Sequence, residues 1–162
     1  MRRFEKISFE QFKKDVKDNI DLYNSFRMPS RETMYAAGYD FYALESFIIK
    51  PGEIKKVPTG IKVIMENDEV LCIHIRGKQG FKYNVRLINQ TGIVDKDYYN
   101  NPGNEGHIWI GLQNEGKEDY VVNSGDGIAQ GIFMKYLLTD NDKEELKEIR
   151  NHQNDGYLKE EE

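Results

Sequence analysis

The sequence predicts a mainly β protein, on three observations. Short runs of β-branched and aliphatic residues recur from Ala36 to about Leu138; turn residues divide them about every ten positions; and no helical periodicity lies between them. Together these point to an all-β barrel or sandwich.

Before that region, residues from Ser8 to about Tyr23 read as one helix, because Phe9, Phe12, Val16 and Ile20 recur at three- and four-residue steps with Lys and Asp between them. Ser8 followed by Gln11 has the form of a capping box. The aromatic stripe suits a partner-binding helix or packing on its own domain, and packing is the expectation carried forward. Phe47-Ile48-Ile49 then runs into a turn at Pro51-Gly52, and Ile61-Lys62-Val63-Ile64 into one at Asn67-Asp68. Val70 to Ile75 is nearly all β-branched or aliphatic, and Val85-Arg86-Leu87-Ile88-Asn89 has the alternation of a strand. Further turns fall at Asn101-Pro102-Gly103-Asn104, Asn114-Glu115-Gly116 and Asn123-Ser124-Gly125-Asp126-Gly127. After Leu138, Thr139 to Leu146 looks like a capped helix running to about Arg150, and Lys159-Glu160-Glu161-Glu162 closes a polar tail.

At 162 residues the chain is long enough for one domain with a real core and too short for two of ordinary size. A single domain over 1–162 is expected, with an N-terminal strand and helix in 1–26, a β core in 27–138, and a C-terminal helix and tail in 139–162. A net charge of −5 argues against a nucleic-acid or anionic-membrane partner, since both call for a basic surface. Cys72 is the only cysteine, so an internal disulfide and a cysteine zinc cluster are both excluded. No apolar run approaches the roughly 18 residues of a membrane span, and the start lacks the apolar core of a signal peptide. A cytoplasmic location is the expectation.

The residues that invite chemistry lie in Gly92-Ile93-Val94-Asp95-Lys96-Asp97-Tyr98. Gly92 lets backbone approach a ligand, an acid at Asp95 can serve as general base toward a water, and the Tyr98 ring can stack on a sugar or base. An Asx turn at Asp95 and a core Tyr98 fit the spacing equally well, and spacing leaves both open. His74, His107 and His152 show no ligand spacing on one element. The Gly-rich stretch Asn123 to Gly127 lacks the Lys-Ser/Thr that follows a phosphate loop and reads as a β-turn.

Five segments taken in order carry a resemblance. Ala37-Gly38-Tyr39-Asp40-Phe41, Val57-Pro58-Thr59-Gly60-Ile61, Gly92 to Tyr98, Glu105-Gly106-His107-Ile108 and Gly125 to Phe133 look like the trimeric dUTPase family, over about residues 27 to 138. The resemblance implies a distorted jelly-roll protomer, a homotrimer with each site assembled from neighbouring subunits, and cleavage of dUTP to dUMP and pyrophosphate with Mg²⁺ on the triphosphate. It implies Asp95 as general base toward the water that attacks the α-phosphorus. Tyr98 would be the ring under the deoxyribose that resists a 2′-hydroxyl, and Asn89, beside Gly92, a contact for the uracil edge. Asp40 and Gln130 match the first and fourth motifs, near the phosphates and the metal's water shell.

The phosphate half departs from the family pattern. Where the second motif reads Arg-Ser-Ser, this chain has Arg76-Gly77-Lys78, so Arg76 remains but both hydroxyls are gone. Losing one donor aimed at a charging oxygen typically costs about 10² to 10³ in rate. Lys78 offers an ammonium instead, without a hydroxyl's compact geometry. Gly127 stands where the fourth motif carries an arginine. The glycine-rich C-terminal arm is not recognisable; Arg150 and Tyr157 are left to stand for its arginine and ring, while Glu160, Glu161 and Glu162 would repel a triphosphate.

These losses fall on phosphate positions and spare the nucleoside ones. The first expectation is therefore a dUTPase-fold protein that binds a uracil-type or related nucleotide with hydrolysis impaired, such as a nucleotide-sequestering protein of a phage or mobile element. It would need no cofactor. The alternative is a working dUTP diphosphatase that uses Mg²⁺ and replaced phosphate contacts. A regulator protein as a further partner is compatible with either.

Overall fold

Alternating burial organises the β region. In the computed structural model, which describes residues 1–142, the strand Trp109–Asn114 turns Ile110, Leu112 and Asn114 inward and Trp109, Gly111 and Gln113 outward. That period of two is what lets one face of a strand join a core. Asn114 is fully buried yet satisfied: its amide donates to the carbonyls of Ile49 and Glu118, both at 2.8 Å, and its oxygen accepts from Gly116 N–H at 2.9 Å.

In chain order the elements are β1 (Arg3–Lys6), α1 (Phe9–Asp15), α2 (Ile20–Ser25), β2 (Tyr39–Tyr42), β3 (Phe47–Ile49), β4 (Ile54–Pro58), β5 (Ile61–Ile64) and β6 (Glu69–His74). They continue with α3 (Gly77–Tyr83), β7 (Val85–Leu87), β8 (Gly92–Asp95), a 3-10 turn (Lys96–Tyr98), β9 (Trp109–Asn114), β10 (Tyr120–Val122) and β11 (Gly127–Lys135). The strands pair antiparallel in four sheets: β2-β11-β6-β8, β4-β9-β7, β1-β5 and β10-β3. Phe41, Ile49, Ile61, Leu71, Ile73, Ile108 and Ile128 meet between them, each at most 2 % exposed. Removing a side chain of this kind costs about 2–5 kcal/mol.

Two expectations are corrected. The single helix from Ser8 to Tyr23 is two short helices, because Val16 leaves helical geometry (φ −118°, ψ −79°) and Asn19 starts a new one, its side chain accepting from Leu22 N–H at 3.0 Å. A short polar side chain that can cap competes with helix continuation. Ser8 does cap α1, accepting from Gln11 N–H at 3.1 Å, but Gln11 reaches forward to Asp15 and not back, so the capping box is only half formed. The aromatic stripe packs on its own domain: the Phe12 ring lies 5.9 Å from Phe26 and 5.2 Å from Tyr23.

The second correction is α3, which interrupts the strand region where no helix was expected. Gly77 and Gly80 lower its intrinsic propensity and hide it from the pattern. Tertiary contacts hold it. Gln79, 4 % exposed, accepts from Arg76 N–H at 2.9 Å and donates to the Ile128 carbonyl at 2.8 Å, tying the start of α3 to β11. The C-terminal helix expected from Thr139 to Arg150 falls largely outside the described residues. No helix among the described residues is long and apolar enough to cross a membrane.

Candidate active site

Strand register gathers one group of predicted residues. Asp40 on β2 stands opposite Gln130 on β11, and Gln130 opposite His74 on β6, so the three form a row across the largest sheet. The chain leaves β6 and brings Arg76 back over that row, with its Nε 3.2 Å from Asp40 Oδ1 and Nη2 3.6 Å from Glu32. Burial pushes the Asp40 carboxyl above its ordinary value, against the pull of Arg76. Gln130 Nε2 donates to the Ile75 carbonyl at 3.1 Å, which fixes the amide in this row. Lys78 is exposed on the first turn of α3. An array of this kind, oxygen donors beside one held guanidinium and a nearby ammonium, can orient a phosphate chain.

The second group runs along β8 and the turn after it. Gly92 opens β8, packed so closely on β6 that a Cβ there would lie 3.0 Å from Ile73 Cβ and 3.7 Å from the Asn89 amide nitrogen. Asn89 itself is exposed. Asp95 closes β8 and precedes the 3-10 turn without capping it through its side chain, which speaks against the Asx-turn reading. Tyr98 is buried, 4 % exposed, and its hydroxyl donates to the His107 carbonyl at 3.0 Å.

Within one chain Gly92, opposite Ile73, lies one position from His74, whereas Asp95 is carried away from the row. On β6, Val70 is opposite Asp95 and His74 opposite Gln130. Four positions along a strand separate the acid from the row of Asp40, Gln130 and His74 by about 13 Å. Arg150 and Tyr157 lie outside the described residues. Glu32 and His74 join the first group although the motif reading did not place them there; the ion pair with Arg76 reveals Glu32, and the β11-β6 register reveals His74. Among the described residues, no three of His, Cys, Asp and Glu gather as a direct metal site.

The sequence model of the dUTPase family matches residues 24–157. Deoxyuridine 5′-triphosphate nucleotidohydrolase of Lactococcus lactis is 44 % identical over 123 residues, covering 76 % of this chain and 82 % of its own. The Haemophilus influenzae protein of the same name is 34 % identical over 114 residues, covering 68 % and 72 %. Among solved structures, a dUTPase from Streptococcus mutans is 39 % identical with a TM-score of 0.69, over 85 % of this chain and 98 % of that one. A dUTPase from phage phi11 of Staphylococcus aureus, at 19 % identity and TM-scores of 0.64–0.65 over 91 % and 98–99 %, is similar in fold alone.

Proposed function

Since this chain belongs to the dUTPase family, we propose that it is a working dUTP diphosphatase, cleaving dUTP to dUMP and pyrophosphate. Asp95 acts as general base, taking a proton from the water that attacks the α-phosphorus. Asn89 and the backbone at Gly92 meet the uracil, and Tyr98 lies under the deoxyribose. Arg76, Lys78 and Gln130 orient the phosphates. The protomers associate as a trimer, so that the Asp95 end of one chain faces the Arg76 end of another; the distance of about 13 Å along β6 supports this, because neither end is complete alone.

The observation that carries a working enzyme over an impaired binder is Arg76. It lies against Asp40 and occupies the space over Gly127, where the fourth motif's arginine is missing, so that the row keeps a guanidinium. The binding-only reading, placed first on sequence grounds, has weaker support: the relatives at 44 % and 34 % identity carry the name of the hydrolase. Asp40 and Gln130 are hard oxygen donors set side by side, a pair suited to Mg²⁺ that keeps most of its waters. Bound to a triphosphate, such an ion neutralises charge between phosphate oxygens.

The test is pyrophosphate release from dUTP with Mg²⁺, beside Asp95→Asn. Turnover of roughly 1 to 10 per second, lost in the variant, is expected. Calorimetric binding of dUTP with no release above the variant would establish the binder instead.

A further inference from the structure

Residues 1–23 precede the stretch matched by the family model, yet they grip the segment after the third motif at three points. The Tyr99 hydroxyl donates to Glu5 Oε1 at 2.5 Å. Ser8 N–H donates to Glu105 Oε1 at 3.0 Å, and the Ser8 hydroxyl donates to Glu105 Oε2. At the end of α1, Asp15 Oδ2 lies 2.6 Å from His107 Nδ1.

His107 is fully buried, and its Nε2 accepts from Gly60 N–H at 2.8 Å. With Nε2 used as an acceptor, the ring carries its proton on Nδ1 and directs it at Asp15. A charge-assisted bond of this kind resists tilting of the imidazole. The same residue's carbonyl accepts the Tyr98 hydroxyl, and Asn104 Nδ2 adds a contact to that hydroxyl at 3.3 Å. A continuous path therefore runs from the helix end, through one buried ring and its main chain, to the Tyr98 side chain.

We propose that Asp15 is a positioning residue that acts through His107 on Tyr98 and sharpens selection of a 2′-deoxyribose over a ribose. The inference rests on the dUTPase reading, which sets Tyr98 under the sugar. Misplacing a positioned group by about 1 Å can cost on the order of a hundredfold, and the sugar that fits best loses most.

The experiment compares kcat/KM for dUTP with that for UTP. Asp15→Ala removes the acceptor, and the dUTP-over-UTP ratio is expected to fall about tenfold. Asp15→Asn keeps an acceptor oxygen, and its ratio is expected to stay within about threefold of wild type. Asp15→Glu keeps the charge and the helix but shifts the carboxylate by one methylene; a fall of about threefold is expected, and this variant decides the matter if Asp15→Ala does not fold. A purely structural role would lower the amount of folded enzyme and leave the ratio alone. Wild-type turnover with an unchanged ratio in the folded variants overturns this inference by itself. Wild-type protein that neither turns over dUTP nor binds dUMP in calorimetry overturns the dUTPase reading, and this one with it.

Discussion

The guanidinium of Arg76 fills the room that a side chain at position 127 would need. A Cβ on Gly127 would lie 2.3 Å from Arg76 Nη1 and 2.9 Å from Cζ. The two residues meet at one end of the sheet, Arg76 from the exit of β6 and Gly127 from the entry of its antiparallel partner β11, and Gln79 bonds to both neighbourhoods. A position that looks like a lost cation is the seat of another one.

Gly127→Ala should therefore displace Arg76 more than it destabilises the fold. The atoms it meets are the far end of a flexible side chain, so stability is expected to change by no more than about 0.5 kcal/mol, as for most surface substitutions. Loss of the Arg76 geometry should lower kcat/KM for dUTP about tenfold or more. Thermal melts and pyrophosphate release measure the two effects separately, and an unchanged kcat/KM would reject the pairing.

Lys78 and Gly77 stand where two hydroxyls are expected. Lys78→Met should lower kcat/KM about a hundredfold to a thousandfold, the scale of one lost donor. A Cβ on Gly77 would meet nothing within 4 Å, so Gly77→Ser should fold normally and raise the rate of the Lys78→Met variant. Steady-state kinetics of the single and double variants checks both; a Lys78→Met enzyme as fast as wild type would remove Lys78 from the site.

Separation along β6 makes a complementation test possible. Asp95→Asn and Arg76→Ala should each be inactive alone. Mixed trimers formed by co-refolding equal amounts should recover about a quarter of the wild-type rate, since a site shared between subunits is intact whenever each contributes its unaltered half. Recovery absent from mixed trimers confirmed by native mass spectrometry would mean that both groups serve a site within one chain.

Acid should weaken the Asp15 attachment in a defined direction. Burial alone would lift this carboxyl, but hydrogen bonds from His107 and Gln11 outweigh it and hold the pKa below the ordinary 3.8. A carboxyl depressed on folding adds stability above its unfolded pKa and loses it as the pH falls through that value toward the folded one. The stability gap between wild type and Asp15→Asn should thus be full above about pH 5 and shrink below about pH 4. Urea denaturation across that range checks it; a constant gap would remove the linkage.

Much of the scaffold was readable because alternation is local. Val85 and Leu87 announce an inward face, and Ser8 announces a helix start, without reference to anything far along the chain. Helix α3 was not readable, since Gln79 steadies it by a bond to Ile128, 49 positions away, while its own glycines argue against a helix. The site divided in the same way. Asp95, Tyr98, Asp40 and Gln130 stand out as motif residues, but that β6 holds the first apart from the last two is a fact of register, set by pairing partners distant in sequence. The packing of Arg76 over Gly127 was hidden for a related reason: a sequence shows that a side chain is missing but not what occupies the space it leaves.

Under the proposed sharing of the site between subunits, protein concentration also has a hold on output. A solitary folded chain would own no finished centre, so dilution past the point where subunits part would silence turnover without unfolding anything. Specific activity that declines on dilution and returns on concentration is the behaviour such a division of labour entails.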